Sequence, residues 1–95
     1  MFVILLTFSE NKSKAGDFMA GHNQWIQKGF DESVFLLVGS LQPNRGGSII
    51  AYNTSLTELQ TRVNDDPFVV ENIVSSEILE IEPKKADERL SFLIN

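Results

Sequence analysis

MFVILLTF, at residues 1–8, is the first of two apolar stretches that decide the fold, and SVFLLVGSL, at residues 33–41, is the second. Both are rich in β-branched and aromatic side chains, which favour strands. From Phe2 to Leu6 and from Val34 to Val38, no polar residue alternates with the apolar ones. A strand with one face in water alternates, so these runs predict a sheet that is covered on both faces.

The segments around these two stretches predict a helix and a hairpin. Apolar side chains recur at helical spacing from Ala15 to Phe30, and we expect Gly29 to end this first helix. After the second strand, QPNRGG at residues 42–47 is dense in turn residues. The following SIIAYN at residues 48–53 therefore predicts a third strand that pairs with the second.

The second half of the chain predicts one more helix and one more strand. Ser55-Leu-Thr-Glu58 has the spacing of a capping box, which begins a helix. Pro67 interrupts this helix, because the residue before a proline is disfavoured in the α region. Asp66 can then cap a short turn that runs through residues 70–73. The stretch at residues 76–82 predicts the fourth strand.

The resulting order, β-α-β-β-α-β, predicts a single α+β domain over residues 1–95 with a ferredoxin-like fold. This fold has a four-stranded antiparallel sheet with two helices on one face. Two helices leave the other face open, so we expect a second copy of the chain to cover it, as a homodimeric barrel. The apolar tail, residues 85–95, is expected to dock on the sheet or on the dimer partner. The alternative to a dimer is that the tail alone folds back and covers this face of its own sheet.

The composition excludes several classes of function. The net charge is −5 over 95 residues, and nucleic-acid binding requires clustered positive charge instead. The chain has no cysteine, which excludes disulfides and thiol catalysis and fits a reducing compartment. The apolar run at residues 1–6 is too short for a membrane span and lacks the cationic start of a signal peptide. We therefore expect a cytoplasmic protein without membrane or nucleic-acid partners.

His22 is the only histidine, and it falls at the centre of the apolar arc of the first helix. Its ring should point toward the sheet. A histidine side chain gains and loses its proton near neutral pH, which suits general acid or base catalysis. Two simpler interpretations stay open. His22 could be a histidine that only packs in the core, and Asp66 could serve only as the N-cap of a helix. One histidine without cysteine leaves too few ligands for zinc, so no metal site and no cofactor are expected.

Several of these landmarks occur together in one order. His22 lies three residues before Trp25, VGSL at residues 38–41 ends the second strand, Gly47 precedes the third, and DPF occupies residues 66–68. In this arrangement the chain resembles the YciI-like (YCII-related) family of the dimeric α+β barrel superfamily. One characterised member of that family is a lyase that removes chloride from a chlorinated hydroxyhydroquinone.

The resemblance implies a homodimer in which His22 and Asp66 pair in a cavity as the catalytic residues. It implies a lyase or isomerase that moves a proton on a small organic substrate, such as a cyclic, oxygenated compound. Trp25, Gly39 and Ser40 are candidate substrate-binding residues, and the alternative for Trp25 is that it packs in the core instead of forming part of the cavity wall. The alternative function is a non-catalytic dimer that binds a small molecule or stabilises a partner.

The sequence departs from the family at two places. Many members have a basic residue shortly before the histidine, whereas this chain reads FMAG at residues 18–21. Recognition of an anionic substrate by that route is therefore not expected here. In the family, the turn after the second strand often reads Gly-Pro, whereas this chain has Gly39-Ser40. The Ser40 hydroxyl adds a polar group that either contacts a ligand or caps a turn.

Overall fold

The computed structural model describes residues 1–94 and contains one antiparallel sheet with helices on one face. The strands are β1 (Phe2–Phe8), β2 (Phe35–Leu41), β3 (Gly46–Ala51) and β4 (Val74–Glu80), and the helices are α1 (Ala15–Asp31), α2 (Leu56–Asn64) and α3 (Pro67–Val70). Lys12–Lys14 and Glu88–Leu93 form 3-10 turns. The strands lie in the order β2-β3-β1-β4. The predicted ferredoxin-like α+β fold is confirmed.

The core lies between the helices and the inner face of the sheet. Ile4 of β1 and Ile49 of β3 pair directly and are fully buried. Leu59 and Val63 of α2, one turn apart, are fully buried against them. Each such side chain contributes about 1.5–3 kcal/mol relative to an exposed position. The predicted capping box is confirmed, because the Glu58 N–H donates to Ser55 Oγ at 3.1 Å.

The prediction that Gly29 ends the first helix is wrong, because α1 continues to Asp31. The chain leaves the helix through Ser33, which adopts a positive φ of 61°. Gly29 instead allows α1 to approach β2 closely. A Cβ atom at this position would lie 2.1 Å from Cδ2 of Phe35, which is far inside van der Waals contact.

Two strands begin earlier than the sequence predicts. β3 begins at Gly46 rather than residue 48, because Gly46 already pairs with Thr7 of β1. β4 covers Val74–Glu80 rather than residues 76–82. Its early start follows from Asn72, whose positive φ of 57° turns the chain out of α3 two residues before Val74.

The outer face of the sheet carries an apolar row that crosses all four strands. Leu37 pairs with Ile50, Ile50 with Val3, and Val3 with Leu79, so these four side chains share one face. Leu37 is 53% exposed and Leu79 is 42% exposed. The tail contacts the end of β3 through Phe92, whose ring centroid lies 5.3 Å from that of Tyr52. It leaves Leu37 and Leu79 uncovered, and its last residue, 95, lies outside the described residues.

Candidate active site

His22 and Asp66, which lie 44 positions apart in the sequence, meet in the structure. Nδ1 of His22, in the middle of α1, lies 2.8 Å from Oδ1 of Asp66, which directly precedes α3. The His22 side chain is 13% exposed and the Asp66 side chain is fully buried. A hydrogen bond with this burial on one side is protected from competition by water.

Asp66 holds this position because it also begins α3. Its Oδ1 accepts a second hydrogen bond, from the Phe68 N–H at 3.0 Å, and Pro67 occupies the first turn of the helix. The predicted capping role of Asp66 is therefore confirmed. Among residues 1–94, its other oxygen, Oδ2, is buried without a hydrogen-bond donor. Oδ1 therefore accepts both hydrogen bonds of this carboxylate, one from the N-terminus of α3 and one from the imidazole of His22.

The hydrogen bond to Asp66 determines which ring nitrogen of His22 remains available. An ionised carboxylate only accepts hydrogen bonds, so Nδ1 carries the proton that is donated to it. Nε2, on the opposite side of the ring, has no hydrogen-bond partner within residues 1–94. In the neutral ring Nε2 is therefore the atom that can accept a proton, and in the charged ring it can donate one.

Packing against Phe68 and a close helix contact fix the imidazole in place. The rings of His22 and Phe68 are parallel within 2°, with centroids 3.9 Å apart. Gly21 lies beside Pro67, and a Cβ atom at Gly21 would be 3.2 Å from Cγ of Pro67. The missing side chain therefore lets α1 and α3 approach closely enough for the His22–Asp66 hydrogen bond.

A cavity of about 350 Å³ adjoins His22, between α1 and the inner face of the sheet. Its size is within the range of small-molecule sites. The apolar residues that line it are Leu6, Phe8, Met19, Ile26, Val38, Ile49, Phe68 and Val74, and the others are His22, Asn23, Gly39, Ser40, Gly46, Gly47 and Ser48. Both candidate substrate-binding residues of β2, Gly39 and Ser40, thus lie in its wall.

Trp25 belongs to the core instead of this wall. Its ring is buried, with a centroid 6.0 Å from that of His22, and it is absent from the cavity lining within residues 1–94. Its Nε1–H donates to the carbonyl oxygen of Arg62 at 2.9 Å, in the last turn of α2. Trp25 therefore ties the helix that carries His22 to the segment that leads into Asp66.

An ion pair joins the end of α1 to the last turn of α2 on the outside of the molecule. Nη2 of Arg62 lies 2.6 Å from Oε1 of Glu32, the residue that follows α1. The hydrogen bond from Arg62 lowers the pKa of Glu32 below its usual value. The side chains are 21% and 46% exposed, so solvent screens their attraction.

Sequence reasoning missed two side chains at the site, Asn23 and Phe68. Asn23 follows His22 on α1 and presents an amide to the cavity. Phe68 was part of the DPF motif, but its contact with the ring depends on the angle between α1 and α3, which no local pattern reveals. No group of three or more His, Cys, Asp or Glu side chains in the described part of the chain is placed to hold a metal ion.

Comparison with known proteins supports the fold. No protein-family model matches the sequence, and no curated protein matches it either. Among solved structures, the chain is similar to the 5-chloro-2-hydroxyhydroquinone dehydrochlorinase TftG from Burkholderia phenoliruptrix AC1100, solved in complex with 2,5-dihydroxybenzoquinone. The TM-score is 0.69 at 14% sequence identity, over 85% of this chain and 93% of that one. At this identity the likeness extends to the fold alone.

Proposed function

We propose that this chain is a single-domain YciI-like enzyme, a lyase or isomerase that transfers a proton on a small organic substrate. His22 is the general acid or base, and Asp66 orients its ring and stabilises the imidazolium formed during proton transfer. The observation that carries this proposal is the hydrogen bond of 2.8 Å between Nδ1 of His22 and Oδ1 of Asp66, beside a cavity of about 350 Å³.

The chemistry follows from the free nitrogen. Nε2 of His22 takes a proton from a phenolic O–H or an activated C–H of a bound ring, and Asp66 stabilises the imidazolium that results. With a chlorinated hydroxyhydroquinone, a proton moves from a phenolic oxygen to the ring carbon that carries chlorine, which makes that carbon tetrahedral. Loss of a second phenolic proton then expels chloride with the electron pair of the C–Cl bond, so the substrate loses HCl overall and becomes a hydroxyquinone. The fold neighbour, named as a dehydrochlorinase of such a compound, supports this choice of first substrate.

A homodimer is part of the proposal. The row formed by Val3, Leu37, Ile50 and Leu79 exposes apolar side chains across the sheet, as an interface core would. A second sheet packed on this face would cover both β1 and β2 on their two sides, as their continuous apolar sequences predict. A domain of this size gains stability from such an additional interface.

Turnover of 5-chloro-2-hydroxyhydroquinone, followed as chloride release, tests the catalytic roles. His22→Gln should lower the rate by about 100- to 10,000-fold, the usual contribution of a positioned base. Asp66→Asn should lower it as well, whereas Asp65→Asn, which removes the same charge from an exposed neighbour, should not. Unchanged turnover in His22→Gln would remove His22 from the mechanism. Binding without turnover of this compound or its relatives would support a non-catalytic binding module.

Light scattering on purified protein tests the dimer. Leu37→Glu places a charge in the apolar row and should shift the mass toward the monomer. Val70→Glu is the matched control, because Val70 is 59% exposed but lies on α3, away from the sheet. A wild-type protein that is monomeric, or equal effects of the two substitutions, would contradict this interface.

A further inference from the structure

We propose that the cavity beside His22 selects uncharged ring compounds and rejects those that carry a carboxylate or a phosphate. This inference rests on the proposed function for the location of the substrate site and adds the charge of the substrate. It follows from the chemistry of the cavity wall, which supplies apolar contact and hydrogen-bonding groups but no Lys or Arg side chain, and whose single imidazole is paired with the carboxylate of Asp66.

None of the fifteen residues that line the cavity is Lys, Arg, Asp or Glu. The polar side chains in the wall are those of His22, Asn23 and Ser40. The hydroxyl of Ser48, which alternates along β3 with the buried Ile49, donates instead to the carbonyl oxygen of Ile4 at 2.9 Å. Asn23, Ser40 and Nε2 of His22 are therefore the groups that can recognise the oxygens of a neutral phenol or quinone.

An anion in this cavity would lose part of its hydration, and the wall offers no Lys or Arg side chain in exchange. The one wall group that can carry a positive charge, the imidazole of His22, is already paired with the carboxylate of Asp66. An unpaired buried charge is far more costly than a hydroxyl that keeps its hydrogen bonds. The carboxylate of Asp66, held behind the imidazole, adds repulsion, as does the net charge of −5 on the whole chain. A neutral ring needs only apolar contact, which Met19, Ile26 and Phe68 provide.

Cations elsewhere in the chain do not enter the cavity wall. Nζ of Lys12 lies 4.8 Å from the centroid of the Phe8 ring, but Lys12 is outside the lining. After β4, Lys84 pairs with Glu82 at 3.0 Å and Arg89 pairs with Asp87 at 2.9 Å. Lys12 contacts the lining residue Phe8, so an experiment must separate its contribution from that of the cavity itself.

A matched pair of ligands tests this selectivity: hydroquinone and 2,5-dihydroxybenzoate, which is the same ring with one carboxylate added. We would titrate each into the full-length protein at neutral pH under nitrogen and follow the backbone amide signals of the cavity residues by NMR. Hydroquinone should bind at least about tenfold more tightly, a difference of about 1.4 kcal/mol. Binding alone is measured, so failure of the catalytic proposal would leave this result unaffected.

Substitutions at the cavity mouth separate the causes. Met19 lines the cavity and is 42% exposed, so Met19→Arg should place a cation at its entrance and raise the relative affinity for the carboxylate. Met19→Leu is the neutral control and should preserve the preference for hydroquinone. Equal or tighter binding of 2,5-dihydroxybenzoate by the wild type overturns the inference. If that binding is then lost in Lys12→Gln, Lys12 is the cation that binds the carboxylate. Failure of hydroquinone to perturb the cavity residues overturns it too.

Discussion

Replacing Gly29 with alanine should lower the free energy of unfolding by about 1–2 kcal/mol, although alanine is the better helix former. The new methyl group would lie 2.1 Å from Cδ2 of Phe35. Ordinary contact begins at 3.4 Å, so the atoms must separate by 3.4 − 2.1 = 1.3 Å. Phe35 is 3% exposed, and its ring lies against those of Trp25 and Phe30. It therefore has no free space into which to move.

Two effects of opposite sign set this magnitude. Exchanging glycine for alanine inside a helix gains up to about 1 kcal/mol. Overpacking a core costs about 1–3 kcal/mol, and a displacement of this size belongs in the upper part of that range. The difference corresponds to a fall of about 4–16 °C in Tm for a domain of this length.

Gly16 supplies the matched control, because it lies in the same helix and a Cβ atom there would have nothing within 4 Å. Gly16→Ala should therefore stabilise the protein by up to about 1 kcal/mol. Urea unfolding followed by circular dichroism measures both variants. If Gly29→Ala is as stable as Gly16→Ala, the close contact between α1 and β2 does not exist, and the reasoning is refuted.

Three further predictions concern the junction around the site and the caps. Trp25→Phe keeps an aromatic ring but removes the donor to the Arg62 carbonyl, so it should cost about 1 kcal/mol and shift the imidazole NMR signals of His22; unchanged signals would exclude a positioning role. Ser55→Ala removes the cap of α2 and should cost about 1 kcal/mol in urea unfolding. The Arg62 hydrogen bond lowers the pKa of Glu32 from 4.5, so its contribution is present above that pH and lost as pH falls through the lower, folded value. Glu32→Gln should flatten the pH dependence of stability there, and an unchanged acid limb would contradict this.

Local sequence patterns predicted the helices and strands because each pattern reflects interactions between residues that are close in the sequence. The capping box at Ser55, the cap at Asp66 and the apolar period of α1 all appear where expected. The errors occurred where a contact between different elements of the fold determines the role of a residue. Gly29 reads as a helix end, but its function is to make room for Phe35.

The candidate site was predictable in part for the same reason. The central position of His22 on the apolar arc indicated a ring that faces the interior, and the family resemblance indicated Asp66 as its partner. Their distance of 2.8 Å is a property of the structure, since it depends on the angle between α1 and α3. The stacking of Phe68 on His22 and the position of Trp25 in the core depend likewise on how the helices pack together.

The shared oxygen of Asp66 links the position of the His22 ring to a local folding equilibrium. Oδ1 both starts the four-residue helix α3 and holds the imidazole of His22. A fluctuation that unravels this single turn releases the ring at the same moment, without any global unfolding. Under the catalytic role proposed for His22, activity should therefore decline on heating before the sheet melts, and amide exchange at Phe68 would report the fraction of molecules in which this turn is formed.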